Sequence, residues 1–364
     1  MAMPTPTNAP TTEKGVKVMN FPTNQWYMAA WASEIGDAPL GRTICNEPIV
    51  LFRDRSSGQV SALLDRCCHR GAPLSMGEVT DKGLCCGYHG VVFNGCGACV
   101  HVPGQDKIPS KLQVRHFAVE ERDAIVWVWI GDPALADRTK ILPYPYHNQP
   151  EKWPFKSHMY HVKADYRLLL ENLMDLTHLA FVHKSTIGGN PQAHVQAKMT
   201  VTPKDTGLHF IRWLPGSTPP ATYVKAVGFK GPVDRWMDFE FVAPGSVVQW
   251  TGALDVGRGA EENRDQEGGF SLRILHCLTP ETDNSCFYFW SAANGYRQDD
   301  PSATEQLFDQ VHTAFQEDKR MIEAQQNILD RTGGEEGLVN IVSDSARVHM
   351  RRTLARMSED NNAG

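Results

Sequence analysis

The chain contains two short segments of similar composition, Arg66-Cys67-Cys68-His69-Arg70-Gly71 and Cys85-Cys86-Gly87-Tyr88-His89-Gly90. Each combines a thiol and an imidazole on a few residues rich in glycine, which is half of a tetrahedral metal site. Sixteen residues separate His69 from Cys86. The spacing therefore predicts four ligands for one metal centre, namely Cys67, His69, Cys86 and His89.

Two kinds of centre use two Cys and two His. A zinc finger pairs like ligands, with two Cys in one half-site and two His in the other. A Rieske [2Fe–2S] cluster has two Cys on one iron and two His on the other. Because each half-site here mixes Cys with His, the pattern favours the iron–sulfur cluster, and zinc stays as the alternative. The C-x-x-C of Cys96 and Cys99 is interpreted as a turn.

A second candidate centre lies in the apolar segment Ala164–Val182, which is predicted to form a buried helix. Asn172, Asp175 and His178 recur there every three residues and form a polar stripe, which is costly in a core unless it is hydrogen-bonded or binds a metal. His183 follows five residues after His178, so both imidazoles reach one metal only if the helix ends or kinks between them.

A carboxylate partner for these histidines is expected on the amphipathic helix predicted over Thr304–Leu329. Asp318 falls on its apolar stripe, and a carboxylate there needs a cation. Glu317 is the rival but projects off the stripe. Two His and one carboxylate form the facial triad of non-haem Fe(II) oxygenases, so His178, His183 and Asp318 are the predicted ligands of a mononuclear iron.

Length and composition bound the remaining possibilities. The chain has 364 residues, 36 Lys+Arg and 42 Asp+Glu, and a net charge of −6, which disfavours nucleic acid or an anionic membrane as a partner. It has no apolar run long enough to span a membrane and no signal-like start, and a cytoplasmic location is expected.

The pattern of short β runs, prolines and helices predicts the domain organisation. We expect a disordered leader (residues 1–18), a small β domain (19–135), a Pro-rich linker (136–157) and an α+β domain (158–364). The predicted strands are Pro48–Arg53, Val60–Leu64, Ile125–Ile130, Trp236–Phe241, Ser246–Trp250, Phe270–Cys277 and Ser285–Trp290, and a final helix is predicted over Ser343–Met357.

Over residues 21–355 the chain resembles the oxygenase (α) component of Rieske non-haem iron oxygenases, in the branch of vanillate O-demethylase and dicamba monooxygenase. The matching segments are 67–75, 86–90, Pro103-Gly104-Gln105, 166–183, Leu278-Thr279-Pro280-Glu281-Thr282 and Glu317-Asp318-Lys319. Cys68 stands where the family usually has Pro, which adds an oxidisable thiol beside the cluster.

The resemblance implies a fold and an assembly. The fold is α+β, with an N-terminal all-β Rieske domain and a C-terminal helix-grip (START-like) catalytic domain. The assembly is a head-to-tail homotrimer, in which the cluster of one subunit serves the iron of its neighbour. Asp175 matches the family's bridging carboxylate, which would accept a hydrogen bond from His89 of the adjacent chain and orient His178. Asn172 matches a polar residue beside the iron.

The resemblance also implies a reaction in the breakdown of aromatic compounds. With O2 as co-substrate, a monooxygenase would hydroxylate an O- or N-alkyl group of a small aromatic compound, and the product would lose an aldehyde. Electrons would come from NADH through a separate flavin and ferredoxin reductase, because this chain has neither a G-x-G-x-x-G fingerprint nor plant-type ferredoxin spacing.

Alternatives remain for the reaction and for the substrate. A ring-dihydroxylating dioxygenase is the second reading, and a non-enzymatic electron carrier or zinc-binding protein is the third. Strand alternation places His276 on the face of Phe270, Leu272 and Ile274, which makes it the candidate for substrate contact or else a core histidine. The sequence has no obvious cluster of Arg residues that would indicate an acidic substrate. An N-alkyl anilide is therefore as compatible with the sequence as a methoxybenzoate.

Overall fold

The computed structural model describes residues 21–184 and 186–360. The leader predicted over residues 1–18 lies outside them. The described part of the chain contains two regions, each built around antiparallel β-sheet. In that part no helix is both long enough and apolar enough to cross a membrane.

The N-terminal region is all β apart from single helical turns. Its strands form three small sheets, in the orders β1-β11-β10, β2-β3-β4-β9 and β5-β6-β7-β8. The strands are β1 Gln25–Trp31, β2 Leu40–Ile44, β3 Glu47–Arg53, β4 Val60–Leu64, β5 Glu78–Thr80, β6 Gly83–Cys85, β7 Val92–Phe93, β8 Cys99–His101, β9 His116–Phe117, β10 Val119–Arg122 and β11 Ile125–Ile130.

The C-terminal region is a seven-stranded sheet, within the described residues, with helices packed on one face. The strand order is β12-β18-β17-β16-β15-β14-β13, and all neighbours are antiparallel. The strands are β12 Phe155–Val162, β13 Lys198–Lys204, β14 Gly207–Ser217, β15 Val233–Val242, β16 Ser246–Asp255, β17 Phe270–Thr282 and β18 Ser285–Asn294.

Six α-helices complete the described part of this region. They are α1 Tyr166–Met174, α2 Leu179–Val182, α3 Pro191–Gln196, α4 Ala221–Val227, α5 Pro301–Thr332 and α6 Ser345–Asp360. The long helix α5 begins at the side-chain cap of Asp300 and ends at Gly333, whose φ of +87° favours glycine. This architecture agrees with the predicted α+β fold class.

One face of the large sheet carries helices, and the other face carries the N-terminal region. Alternation along β17 explains how one strand serves both faces. Ile274 and His276 point to the helix side and line a cavity. Leu275 and Cys277 point the other way, into a tryptophan-rich cluster that joins the two regions. The N-terminal members of that cluster are Trp26, Met28, Trp31, Ile125, Trp127 and Trp129.

Hydrogen bonds strengthen this seam. The Thr279 hydroxyl donates to the Met28 carbonyl at 2.7 Å, and the Cys45 amide donates to the Pro280 carbonyl at 2.8 Å. The segment predicted as a linker contributes as well, because Ile141 and Tyr144 are buried in the same cluster. Strand β12 begins at Phe155, two residues before the predicted end of that linker.

Candidate functional site: two metal centres

The two Cys/His segments form loops with the same backbone hydrogen bonds. In the first loop, the Cys67 amide donates to the Ala72 carbonyl at 2.8 Å and the Gly71 amide donates to the Cys67 carbonyl at 2.8 Å. In the second, the Cys86 amide donates to Val91 at 2.8 Å and the Gly90 amide donates to Cys86 at 3.0 Å. The loops are therefore near copies of each other, as a centre with one Cys and one His from each loop requires.

Glycine closes each loop for a conformational reason. Gly71 and Gly90 have φ of +75° and +70°, in the left-handed region that side chains disfavour. A Cβ at Gly90 would also lie 2.9 Å from the Pro103 ring. A larger residue at Gly90 would thus strain the turn and displace the neighbouring Pro103 loop.

The thiols and the imidazoles of these loops occupy different environments. Cys67 and Cys86 are buried, whereas His69 and His89 are exposed, with ring centroids 4.6 Å apart. Burial raises the pKa of the Cys67 thiol to about 11, although the His69 amide opposes it. A bound iron would favour the thiolate. The donor set, with thiols inside and imidazoles at the surface, fits a Rieske cluster.

The second centre starts with a break between two helices. Asp175 follows the end of α1 with extended backbone, and its Oδ1 accepts the Thr177 amide at 2.9 Å, which caps a helical turn over Leu176–His178 that leads into α2. The prediction of one continuous helix over Ala164–Val182 is therefore wrong. The reason is local, because an Asp side chain that satisfies an amide two residues ahead favours a cap over a helix interior.

The structure brings His178, His183 and Asp318 together. One potential ligand atom from each lies within 4.8 Å of the others. Asp318 Oδ1 is 3.5 Å from His178 Nε2 and 3.1 Å from His183 Nε2. Asp318 is buried on α5 together with the rest of the apolar stripe predicted around it, Leu307, Val311, Phe315 and Ile322.

Both imidazoles are oriented through Nδ1. His178 Nδ1 donates to the Asp175 main-chain carbonyl at 2.6 Å, and His183 Nδ1 donates to Glu317 Oε2 at 2.8 Å. Both Nε2 atoms then carry a lone pair towards Asp318. His183 Nε2 is buried and has no hydrogen-bond partner, which is a costly state unless a metal occupies that lone pair. The residues present therefore fit a metal ion.

Two expected roles change in detail. Asp175 was expected to orient His178 with its carboxylate, but its main-chain carbonyl does so, while Oδ2 accepts the Ser343 hydroxyl at 3.0 Å. Glu317, the rival ligand, instead holds His183. Asn172 donates to Asp318 Oδ1 at 3.1 Å and lies 3.5 Å from His178 Nε2, so it positions the carboxylate beside the histidines.

The pKa values of His178 and His183 are shifted in opposite directions. Burial lowers the pKa of His178. Burial also lowers that of His183, but the carboxylates of Asp318 and Glu317 outweigh it, so the pKa of His183 is raised. A proton favoured by Asp318 and Glu317 competes with a metal for the Nε2 lone pair of His183. Metal binding at this centre should therefore weaken as the pH falls.

The triad opens into a largely apolar cavity between the sheet and α5. Water-sized molecules can occupy about 60 Å³ of it, and the whole space between its lining atoms, solvent at the mouth included, is about 660 Å³. The sheet contributes alternate residues of three adjacent strands. These are Arg235, Met237 and Phe239 from β15, Gln249 and Thr251 from β16, and Phe270, Leu272, Ile274 and His276 from β17.

His276 lines this cavity, as the predicted strand alternation requires. Its Nε2 donates to Gln249 Oε1 at 2.9 Å, and its Nδ1 accepts the Tyr288 hydroxyl at 2.8 Å. Burial lowers its pKa to about 3, so the ring is neutral. Its contact with substrate stays a prediction, since both nitrogens already have protein partners.

Sequence reasoning missed Arg235 and the role of Glu317. A signal for Arg235 was present, because it alternates with Val233, Met237 and Phe239 and so lies on the apolar face of a strand. The contact between Glu317 and His183 joins residues 134 positions apart, so no local sequence pattern predicts it.

Comparison with known proteins agrees with this geometry. Residues 25–116 match the Rieske [2Fe–2S] domain, and residues 162–360 match the vanillate O-demethylase oxygenase C-terminal domain. A putative toluene-4-sulfonate monooxygenase iron–sulfur subunit of Comamonas testosteroni is 38% identical over 94% of this chain and 98% of its own. A vanillate O-demethylase oxygenase subunit of a Pseudomonas species is 37% identical over 93% and 95%.

A solved structure extends the comparison to three dimensions. Dicamba monooxygenase bound to 3,6-dichlorosalicylic acid superposes with a TM-score of 0.87 at 34% sequence identity. The match covers 94% of this chain and 99% of that protein. Both regions of the fold therefore have counterparts in one known protein.

Proposed function

The chain belongs to the Rieske non-haem iron oxygenases of the vanillate O-demethylase type, and from this premise we propose that it removes an O- or N-alkyl group from a small aromatic compound by hydroxylation. The observation that carries the proposal is a two-histidine, one-carboxylate centre on the wall of an apolar cavity. An Fe(II) ion held by these three side chains would supply the activation of dioxygen.

The residues of this chain have distinct tasks in the reaction. His178, His183 and Asp318 would hold the iron, and Asn172 and Glu317 position two of them. Leu272, Ile274 and Phe315 exclude water and receive the aromatic ring. His276 is proposed to contact the substrate through its ring face, held in place by Gln249 and Tyr288.

The proposed chemistry balances as a monooxygenation. One atom of O2 enters the C–H bond of the alkyl carbon next to the oxygen or nitrogen, and the other leaves as water. The two electrons and one proton come from NADH, and the second proton of the water comes from solvent. The resulting hemiacetal or carbinolamine then breaks its carbon–heteroatom bond to release an aldehyde and the phenol or amine. This reaction needs only one substrate carbon near the triad.

Electrons are proposed to enter through the N-terminal region. Residues 19–135 would carry the cluster on Cys67, Cys86, His69 and His89, residues 136–157 would connect, and residues 158–364 would carry the iron. A separate ferredoxin and flavin reductase would deliver electrons from NADH to the exposed histidines. Because such a partner would consume NADH, the proposed location of the reaction is the cytoplasm.

The proposed assembly is a head-to-tail trimer in which His89 of one copy donates to Asp175 of the next. Two apolar surfaces support it. Met76 and Tyr88 are 78% and 62% exposed close to the cluster loops. Near Asp175, which bonds Ser343, the side chains of Ile341 and Val342 are 67% and 99% exposed. Large exposed apolar side chains of this kind mark contact surfaces.

A coupled assay tests the proposed function. The full chain, loaded with iron and cluster, is supplied with NADH, a ferredoxin and its reductase, and 4-methoxybenzoate or N-methylaniline under ¹⁸O2. We expect aldehyde release equal to O2 consumed, with one ¹⁸O atom in the aldehyde before exchange. A ring diol carrying two ¹⁸O atoms without aldehyde would indicate the dioxygenase instead. A colourless protein holding only zinc would overturn both.

A further inference from the structure

Arg235 is a buried cation in the wall of the cavity. It lies on β15, on the same face as Met237 and Phe239, and is only 1% exposed. Antiparallel pairing places it opposite Ala253 on β16 and Leu214 on β14, neither of which offers a polar side chain. A permanent charge thus stands in an otherwise apolar part of the sheet.

The guanidinium of Arg235 has no anionic partner in residues 21–184 and 186–360. Its Nε and Nη1 are buried without hydrogen-bond partners. It lies 4.9 Å from the centre of the Tyr223 ring, which is an attractive contact but not a counter-charge. Gly189, where a Cβ would lie 3.1 Å from Nη1, leaves the guanidinium uncrowded.

Two other arginines of the sheet, Arg212 and Arg273, also have a buried nitrogen without a hydrogen-bond partner, but neither of them lines the cavity. Arg212 on β14 donates through Nη2 to the His194 carbonyl at 2.7 Å. Arg273 on β17 points to the opposite face of the sheet and stacks over Trp250 at 3.8 Å. Arg235 is the one of the three that both lines the cavity and lacks a hydrogen bond.

An unpaired buried charge is strongly unfavourable, and removing the partner of a buried ion pair has the same consequence. A guanidinium aimed into a cavity therefore indicates an anionic ligand that completes the pair. Its planar fork matches the two oxygens of a carboxylate or sulfonate. Thr251 lines the same wall, and its hydroxyl, which accepts Gln249 Nε2 at 2.7 Å, keeps its own proton to donate.

We propose that Arg235 binds the carboxylate or sulfonate group of an aromatic substrate and so selects acids over neutral arenes. The inference rests on the proposed function, which it deepens by naming the substrate class. The anionic end is held by Arg235, while the remainder of the ring lies in the apolar part of the cavity that the iron triad shares. A neutral anilide would leave Arg235 unpaired.

Binding to the loaded, full-length enzyme tests this without turnover. Calorimetry compares 4-methoxybenzoate and 4-methoxybenzenesulfonate with neutral 4-methoxybenzamide. Arg235→Met should weaken binding of at least one acid by roughly 30-fold or more, as expected when one partner of a buried charge pair is removed, and should change amide binding little. Arg235→Lys should recover part of the loss. Arg273→Met is the matched control, because it removes a guanidinium from the other face of β17.

Two further measurements distinguish anion binding by Arg235 from a purely structural role and from the proposed dealkylation. Arg235→Met removes an unpaired charge, so the melting temperature of the ligand-free enzyme should not fall. A lower melting temperature with equal losses for acid and amide would overturn the inference, and so would a wild type that binds neither acid. If acids bind in a manner that depends on Arg235 but are not demethylated, the role of Arg235 in anion binding is supported and the proposed function is contradicted.

Discussion

The two candidate centres place their predicted ligands in opposite environments. The cluster loops are short, similar to each other and exposed at their tips, where His69 and His89 reach solvent. The triad is assembled from a helix break and a distant helix, with His183 and Asp318 buried. An electron relay needs a surface that a partner can reach, whereas oxygen chemistry needs exclusion of water. The difference in burial therefore matches the difference in task.

Removing one ligand from each centre gives the largest expected effects. Asp318→Ala should lose the mononuclear iron and keep the cluster absorption, because the two sites share no residue. His69→Ala should lose the Rieske absorption and its low-g EPR signal while the second iron stays. Turnover should disappear in both variants. Iron analysis and EPR check these outcomes. Loss of both the mononuclear iron and the cluster from either variant would show that the two centres are not independent.

Asp175→Asn asks whether the two centres communicate through this residue. Asn can still accept the Thr177 amide, and His178 is held by the main-chain carbonyl, so both metals should remain bound. Loss of the carboxylate charge should reduce turnover by roughly 100-fold, the upper range for residues that support metal ligands. The rate of cluster oxidation in stopped flow measures it. Wild-type rates would exclude the bridging role.

Glu317→Gln weakens the support of one ligand. A neutral acceptor holds the His183 Nδ1–H less strongly than a carboxylate, so iron affinity should fall by about 10- to 100-fold while the cluster is unchanged. Glu305→Gln, a surface change on the same helix, is the control. If Glu317→Gln lost all iron and Asp318→Ala kept it, the ligand assignment would pass to Glu317.

Acid should destabilise the catalytic region through its buried histidines. Burial lowers the pKa of His276 to about 3 and that of His194 to about 4, whereas an unfolded histidine titrates near ~6.5. Below that pH the unfolded chain binds protons that the native protein does not, so stability falls as the pH falls.

The expected size is roughly 1.4 kcal/mol per pH unit for each such histidine. Denaturant unfolding between pH 4.5 and 7 measures the slope of the unfolding free energy against pH. His276→Gln should reduce that slope by the contribution of about one bound proton. An unchanged slope in that variant would show that His276 is not neutral in the folded protein.

How far each centre could be predicted follows from how local its interactions are. The cluster loops depend on hydrogen bonds between residues four or five apart, so their spacing is visible in the sequence. Asp318 could also be predicted, because a carboxylate on an apolar helical stripe is conspicuous. The break at Asp175 was predictable from a capping residue, yet the strong apolar pattern of 164–182 concealed it.

The remaining features depend on tertiary pairing. Glu317 reaches His183 only because α5 lies beside α2, and Gln249 reaches His276 only because β16 pairs with β17. Their sequence signals are ordinary polar residues. The lack of a partner for Arg235 is even less visible, since it becomes apparent only when every neighbouring strand is in place.

Strand β17 carries part of the cavity wall on one face and the tryptophan-rich seam on the other. Inserting or deleting a single residue would exchange the two sets, driving His276 into the seam and Leu275 into the cavity. The cavity wall can therefore be altered without disturbing the seam only by substitutions that keep the length of this strand. We therefore expect insertions and deletions to be tolerated only at its ends, and designers who transplant the pocket into a relative must carry over both faces.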